Sequence, residues 1–170
     1  MIQPLRTDRL MLYAPNRRFA PDLFVYGSDP YFCAPINAVP MREVAEAEAF
    51  LSSLSEANTN RTRCYWVAVR KVDDKAIGTL GFILGDNPEL GYGFAPETWG
   101  TGLFQEAAQA VLTHGFKQLS LSRVFVVTRA ENTRAVRAVE KLGFVVTRIL
   151  PGRYDWNGAV KDGIELVLNA

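Results

Sequence analysis

Two periodicities alternate along the chain, and the switches between them mark out its elements. Leu5, Leu10, Met11 and Leu12 predict a first strand over residues 6–13, ending near Pro15. Between Pro21 and Pro40 the sequence is rich in aromatic residues and broken by Pro30 and Pro35. That pattern predicts short helical turns and an irregular loop, because proline cannot donate inside a helix. From Glu43 to Leu54, Val44, Ala47, Phe50, Leu51 and Leu54 recur at helical spacing and predict an amphipathic helix. Residues 58–63 are polar and read as a turn.

The period then drops to about two residues. Cys64–Arg70 and Ala76–Leu84 read as a hairpin closed by Val72–Lys75. Gly85–Pro88 is a second turn, and Glu89–Phe94 the strand that follows it. From Gly102 to Leu119 the helical period returns, with Phe104, Ala107, Ala108, Val111, Leu112 and Leu119 on one face. Arg123–Thr128 is a short apolar strand. Asn132–Leu142 is a helix with Asn132 at its N-cap and Gly143 as its stop. Phe144–Ile149 and Gly163–Leu168 complete the sheet, with residues 150–160 left as a loop. The class expected is α/β with a mixed, mainly antiparallel sheet. There is no repeat, low-complexity tract or linker, so residues 1–170 are expected to form a single domain.

Charge and composition narrow the partners. Lys and Arg number 19 against 18 Asp and Glu, a net charge of +1, which lacks the basic excess typical of nucleic-acid binding. No apolar run reaches the ~18 residues of a membrane span, and Met1–Arg6 has no signal-peptide pattern. Cys33 and Cys64 then read as buried thiols of a cytoplasmic protein. With one histidine, His114, and no Cys-x-x-Cys, no metal site is expected. His114 reads as a partly buried helix histidine and Cys64 as strand core, neither as a catalytic group.

The chemistry concentrates where the strand Glu89–Phe94 runs through Ala95-Pro96-Glu97-Thr98-Trp99-Gly100-Thr101-Gly102 into the helix beginning at Leu103 and Phe104. The first N–H groups of a helix have no internal partner, and its dipole makes that end positive. Glycines there let the backbone wrap closely around a phosphate. Gly-x-Gly before a helix is also what a plain tight turn looks like. The segment is not a P-loop, since no Gly-Lys-Ser/Thr follows, and it lacks the third glycine of a dinucleotide fingerprint.

The same segment resembles the acetyl-CoA loop of the GNAT (GCN5-related N-acetyltransferase) superfamily, Gln/Arg-x-x-Gly-x-Gly/Ala. It is more closely similar to the RimJ/RimL-like branch of ribosomal-protein N-acetyltransferases, which carries Trp-Gly-x-Gly after a Pro-Glu pair. Glu131-Asn132-Thr133-Arg134-Ala135, running on to Glu140-Lys141-Leu142-Gly143-Phe144, resembles the family's Asn-led helix. Arg6–Leu12 and Lys161–Leu168 match the branch's two ends, so the resemblance covers nearly the whole chain.

The resemblance implies a six-to-seven-stranded sheet with helices on both faces, and acetyl-CoA as co-substrate. Its pantetheine arm would lie along Tyr92, Gly93 and Phe94. Its pyrophosphate would sit on backbone N–H groups of Gly100, Thr101, Gly102, Leu103, Phe104 and Gln105, and Asn132 would hold a pantetheine amide. Arg134 and Arg137 either reach the cofactor's charged end or lie on a solvated helix face. Phe104 stands where a small residue is usual, which changes the packing beneath the pyrophosphate. Ala135 and Val139 replace a serine and a tyrosine proposed elsewhere as the acid, so the proton donor is unassigned.

Transfer to an amine requires removal of a proton and polarisation of the thioester carbonyl. Glu89 is the candidate base, acting directly or through a water, on the strand face it shares with Gly91 and Gly93; an ordinary strand carboxylate is the alternative. Phe24–Phe32 and Tyr154–Trp156 are candidates for the acceptor pocket, and equally for plain core. The acceptor implied is a primary amine, on a small molecule or a protein N-terminus. Two readings stay open: such an enzyme, or a non-catalytic acyl-CoA-binding module of the same fold. Dimers are common in the family, so a homodimer is compatible with both.

Overall fold

The computed structural model describes residues 2–156 and 158–170, with Trp156 described by its backbone alone. The first predicted strand is split in two, β1 (Leu5–Arg6) and β2 (Leu10–Tyr13). Thr7 causes the split: its Oγ1 accepts from Leu10 N at 3.0 Å, and its own N–H donates to Leu10 O. The proline-punctuated stretch forms α1 (Ala20–Gly27) and the single turn α2 (Pro30–Cys33), joined by 3-10 turns. A longer helix, α3 (Val44–Thr59), leads into β3 (Arg63–Arg70), β4 (Lys75–Ile83) and β5 (Glu89–Phe94). Then come α4 (Leu103–Gln118), β6 (Arg123–Arg129), α5 (Thr133–Glu140), β7 (Val145–Trp156) and β8 (Ala159–Asn169).

The eight strands form one sheet in the order β1-β2-β3-β4-β5-β6-β8-β7. Every pairing is antiparallel except β5 with β6. The expected class holds, with one strand more than six to seven because of the early split.

Two elements outrun their predicted ends. α3 continues to Thr59 because Asn58 clasps β3: its Nδ2 donates to Tyr65 O and its Oδ1 accepts from Tyr65 N, both at 2.9 Å. That tie reaches seven residues along the chain through polar groups and leaves no hydrophobic signature. Residues 150–160, expected as a loop, instead extend β7 into a long hairpin with β8. The Pro151-Gly152 step breaks the strand pattern in the sequence, but the sheet absorbs it as an irregularity between Leu150 and Tyr154. Gly152 N donates to Asp162 Oδ1 at 2.9 Å across the pair.

Each face of the sheet is apolar where a helix covers it. α4 and α5 bury Ala107, Ala108, Val111, Leu112 and Val139 against Leu10, Trp66, Leu80, Phe82, Leu90 and Val126. The opposite face packs Val67, Val69 and Ala76 beneath Leu23 of α1 and Ala47 and Leu51 of α3. Burial of the valine, leucine and phenylalanine side chains among these contributes about 1.5–3 kcal/mol each. Cys64 belongs to the first core, where burial pushes its thiol up to about 11. His114 packs edge-on against Trp66 at 5.2 Å, and burial lowers its pKa. No helix among the described residues is long and apolar enough to cross a membrane.

Candidate active site

The parallel pair β5 and β6 meets in register only at Glu89 and Phe125, where Phe125 N donates to Pro88 O at 2.8 Å. Beyond that point the strands diverge. A groove of about 240 Å³ opens between them, walled by Glu89–Phe94 of β5 and by Val126, Val127 and Thr128 of β6. Asn132, Arg134, Ala135 and Ala138 of the α5 segment close one side, and Thr98, Trp99, Gly100, Phe104 and Gln105 close the end. A strand edge without a partner offers backbone donors and acceptors to an extended, amide-bearing ligand.

The groove ends at the start of α4. Gly100 has φ +78° and Gly102 φ +81°, conformations that a side chain resists and that turn the chain sharply into the helix. Thr101 Oγ1 accepts from Leu103 N. The N–H groups of Gly102, Phe104 and Gln105 have no acceptor among the described residues. These free donors and the positive helix end are suited to a phosphate. A clamp holds the turn in place: Arg9 Nη1 donates to Thr101 O at 3.1 Å, and Arg9 Nε pairs with Glu106 at 2.6 Å. Glu106 loses solvation by burial, yet the hydrogen bonds from Thr7 and Arg9 win and hold its carboxyl below the usual range.

Phe104 builds the groove floor, its ring 4.3 Å from Tyr92 and 5.5 Å, edge-on, from Phe94. Across the mouth, Arg134 lies 3.2 Å from the centre of the Trp99 ring, and Trp99 Nε1 donates to Phe94 O. Such stacking holds a guanidinium in place without pairing away its charge. Asn132 Oδ1 caps α5 by accepting from Ala135 N at 3.3 Å, which leaves its Nδ2 hydrogens as donors for the groove that Asn132 lines.

At the opposite end lies Glu89, half-buried. Burial raises its carboxyl pKa, and the charge of Arg153 pulls it part-way back. Beside it, the Tyr65 hydroxyl occupies the space that a side chain at Gly91 would need, and burial pushes that phenol up to about 12. Burial raises the phenol of Tyr154, which also feels the charges of Arg153 and Glu89.

The structure thus gathers Glu89, Tyr92, Gly93, Phe94, Gly100, Phe104, Gln105 and Asn132 around one groove. Gly102 supplies a free N–H at its end, while the Thr101 hydroxyl is spent within the turn. Leu103 is buried in the core, and Arg137 is exposed and does not line the groove. Val139 is also buried, so beside Arg134 the groove meets only the methyl groups of Ala135 and Ala138 from α5. Of the aromatic stretch, Phe32 lines the groove while Tyr26 packs beneath it, edge-on at 5.0 Å. Tyr154 feels the charge of Glu89, Asp155 is exposed, and the Trp156 side chain lies outside the described residues.

A sequence model of the acetyltransferase (GNAT) domain matches residues 9–145. The chain belongs to the GNAT acetyltransferase family. This GNAT protein is accordingly an acetyl-transferring enzyme. It is 29% identical over 147 residues to a Bacillus licheniformis protein named uncharacterized N-acetyltransferase p20, covering 84% of this chain and 83% of that one. Its fold matches a Salmonella typhimurium acetyltransferase that modifies the N-terminal serine of ribosomal protein L7/L12, with TM-score 0.87, 14% identity and 99% of both chains covered. It also matches the microcin C7 self-immunity acetyltransferase MccE, solved with acetyl-CoA and AMP, at TM-score 0.84, 16% identity, and 96% and 93% coverage. At such identities the structural likeness is one of fold.

Proposed function

We propose that this GNAT protein transfers acetyl from acetyl-CoA directly to a primary amine in a ternary complex, with Glu89 as the general base. The observation that carries the reading is the open seam between β5 and β6, with free helix N–H groups at one end and Glu89 at the other. Acetyl-CoA supplies the thioester carbonyl. The unpaired edge of Tyr92–Phe94 takes the pantetheine amides, joined by Asn132 Nδ2. The N–H groups of Gly102, Phe104 and Gln105 take the pyrophosphate, with Gly100 leaving the backbone room. Arg134 faces the same anion from Trp99.

The amine nitrogen attacks the carbonyl carbon, the C–N bond forms and the C–S bond breaks. Glu89 accepts the proton the nitrogen gives up, and its burial-raised pKa suits that work. The leaving thiolate belongs to a thiol of pKa near 8.5, so it departs and takes a proton from water without a side-chain acid. The lack of such an acid on α5 is therefore compatible with turnover. The two free, buried thiols, Cys33 and Cys64, support the cytoplasmic reading.

The test is Glu89→Gln, followed by thiol release across an amine and N-terminal peptide panel. Turnover is expected to fall at least about a hundredfold, with acetyl-CoA affinity by calorimetry unchanged. The acid limb of the wild-type kcat–pH profile, displaced above the usual carboxylate range, should vanish in the variant. Unchanged turnover would remove Glu89 from the chemistry, and binding without turnover on any amine would leave an acyl-CoA-binding module.

A further inference from the structure

An acceptor must reach Glu89 from the sheet face opposite α4, and that face is arginine-rich. Register and alternation place Tyr65, Gly91 and Glu89 on it, followed by Phe125 and Arg129 on β6 and Gly163 on β8. Gly163 shapes what happens next. A Cβ there would lie 3.0 Å from both Cβ and Cγ of Arg153, so the Arg153 stem rests flat on β8 where no side chain intervenes. Its guanidinium extends past the Tyr154 ring, 6.0 Å from the centroid, and its charge is felt at Glu89. On the other rim, the Arg63 guanidinium sits 5.8 Å from the ring of Tyr65, whose hydroxyl covers Gly91. Between the two rims, Arg129 donates to Asn37 Oδ1 and to Ala34 O, while its Nε is buried with no partner among the described residues.

The acids nearby are already matched. Glu131 pairs with Lys161 at 2.9 Å and with Arg129 at 3.6 Å, and Glu165 pairs with Arg148 at 2.9 Å. Arg63 and Arg153 have no carboxylate partner among the described residues. A cation held at an aromatic rim with no salt-bridge partner recognises an anion and repels a polycation.

We propose that the acceptor is an amine that also carries an anionic group, a carboxylate or a phosphate, bound by Arg153 as Glu89 takes the amine proton. The inference rests on the transfer reading above and adds the class of substrate to it.

Matched acceptors that differ only in the anion provide the test. Phosphoethanolamine is compared with ethanolamine, Ala-Asp amide with Ala-Asn amide, and spermidine serves as the polycation. In at least one pair the anionic member should be preferred by about tenfold or more in kcat/KM. The responding pair distinguishes phosphate from carboxylate. Arg153→Gln should erase most of that preference through KM, and Arg153→Glu should invert it. Acetyl-CoA affinity should stay constant throughout. A wild-type preference for the neutral members or spermidine would overturn the proposal, as would a preference indifferent to Arg153. If no acceptor turns over, the same pairs are titrated by NMR with CoA present. Tighter, Arg153-dependent binding of the anionic member would then uphold the recognition while the transfer reading fails; equal binding would overturn the recognition itself.

Discussion

A Cβ at Gly91 would overlap the Tyr65 hydroxyl, so the wall beside Glu89 depends on an absent methyl group. Gly91→Ala should push Tyr65 aside, cost about 1–3 kcal/mol of stability and lower turnover. Tyr65→Phe in the same chain removes the clashing oxygen and should recover much of the stability. Thermal denaturation of the single and double variants checks this, and full additivity would show that the two sites do not meet. Residues whose place is set by their immediate neighbours in the chain were legible from sequence: Glu89 ahead of its strand, Gly100 and Gly102 in their turn, Asn132 at its cap. Tyr65 and Arg153 were not, because the packing of distant strands brings them to the Glu89 end of the groove. Arg137, open between a cofactor contact and a solvated helix face, lies exposed and off the groove. The helical period alone does not say which side of α5 meets the groove, and the structure gives that side to Arg134 and Ala138.

At the scale of the element, the start of α4 separates binding from folding. Gln105 lines the groove in the first helical turn. Gln105→Glu places a negative charge where the pyrophosphate would bind, and a negative charge is favourable to the helix at that same end. Acetyl-CoA affinity should therefore fall more than about tenfold, roughly 1.4 kcal/mol, with the melting temperature unchanged or raised. Calorimetry and thermal denaturation on one sample measure both, and undiminished affinity would displace the phosphate from this helix. Elements were legible wherever one period ran unbroken, as in β3, β5 and α4. They were misjudged where a tertiary tie or a sheet overrode the local pattern: the Asn58 clasp that prolongs α3, and the Pro151-Gly152 step absorbed within β7.

At the scale of the molecule, the sequence carried the class of the sheet and the faces of its helices, but not the order in which β8 enters between β6 and β7. The last strands are similar in apolar content, and nothing local distinguishes an inner position from an edge. The seam between β5 and β6 gives the whole fold a measurable response. A ligand bound only by the folded chain stabilises it by about 2.7 kcal/mol at a hundredfold excess over Kd. The melting temperature should therefore climb with added CoA, and hydrogen exchange should slow at the Gly91–Phe94 amides. A rise in melting temperature without protection there would place the ligand elsewhere.

The seam carries one more consequence. A sheet whose ladder stops at Glu89 and Phe125 leaves a gap that a guest strand could fill. If acetyl-CoA is that guest, each molecule is most durable where its own substrate is plentiful, and scarcity would leave the seam as the place where local opening and proteolysis begin.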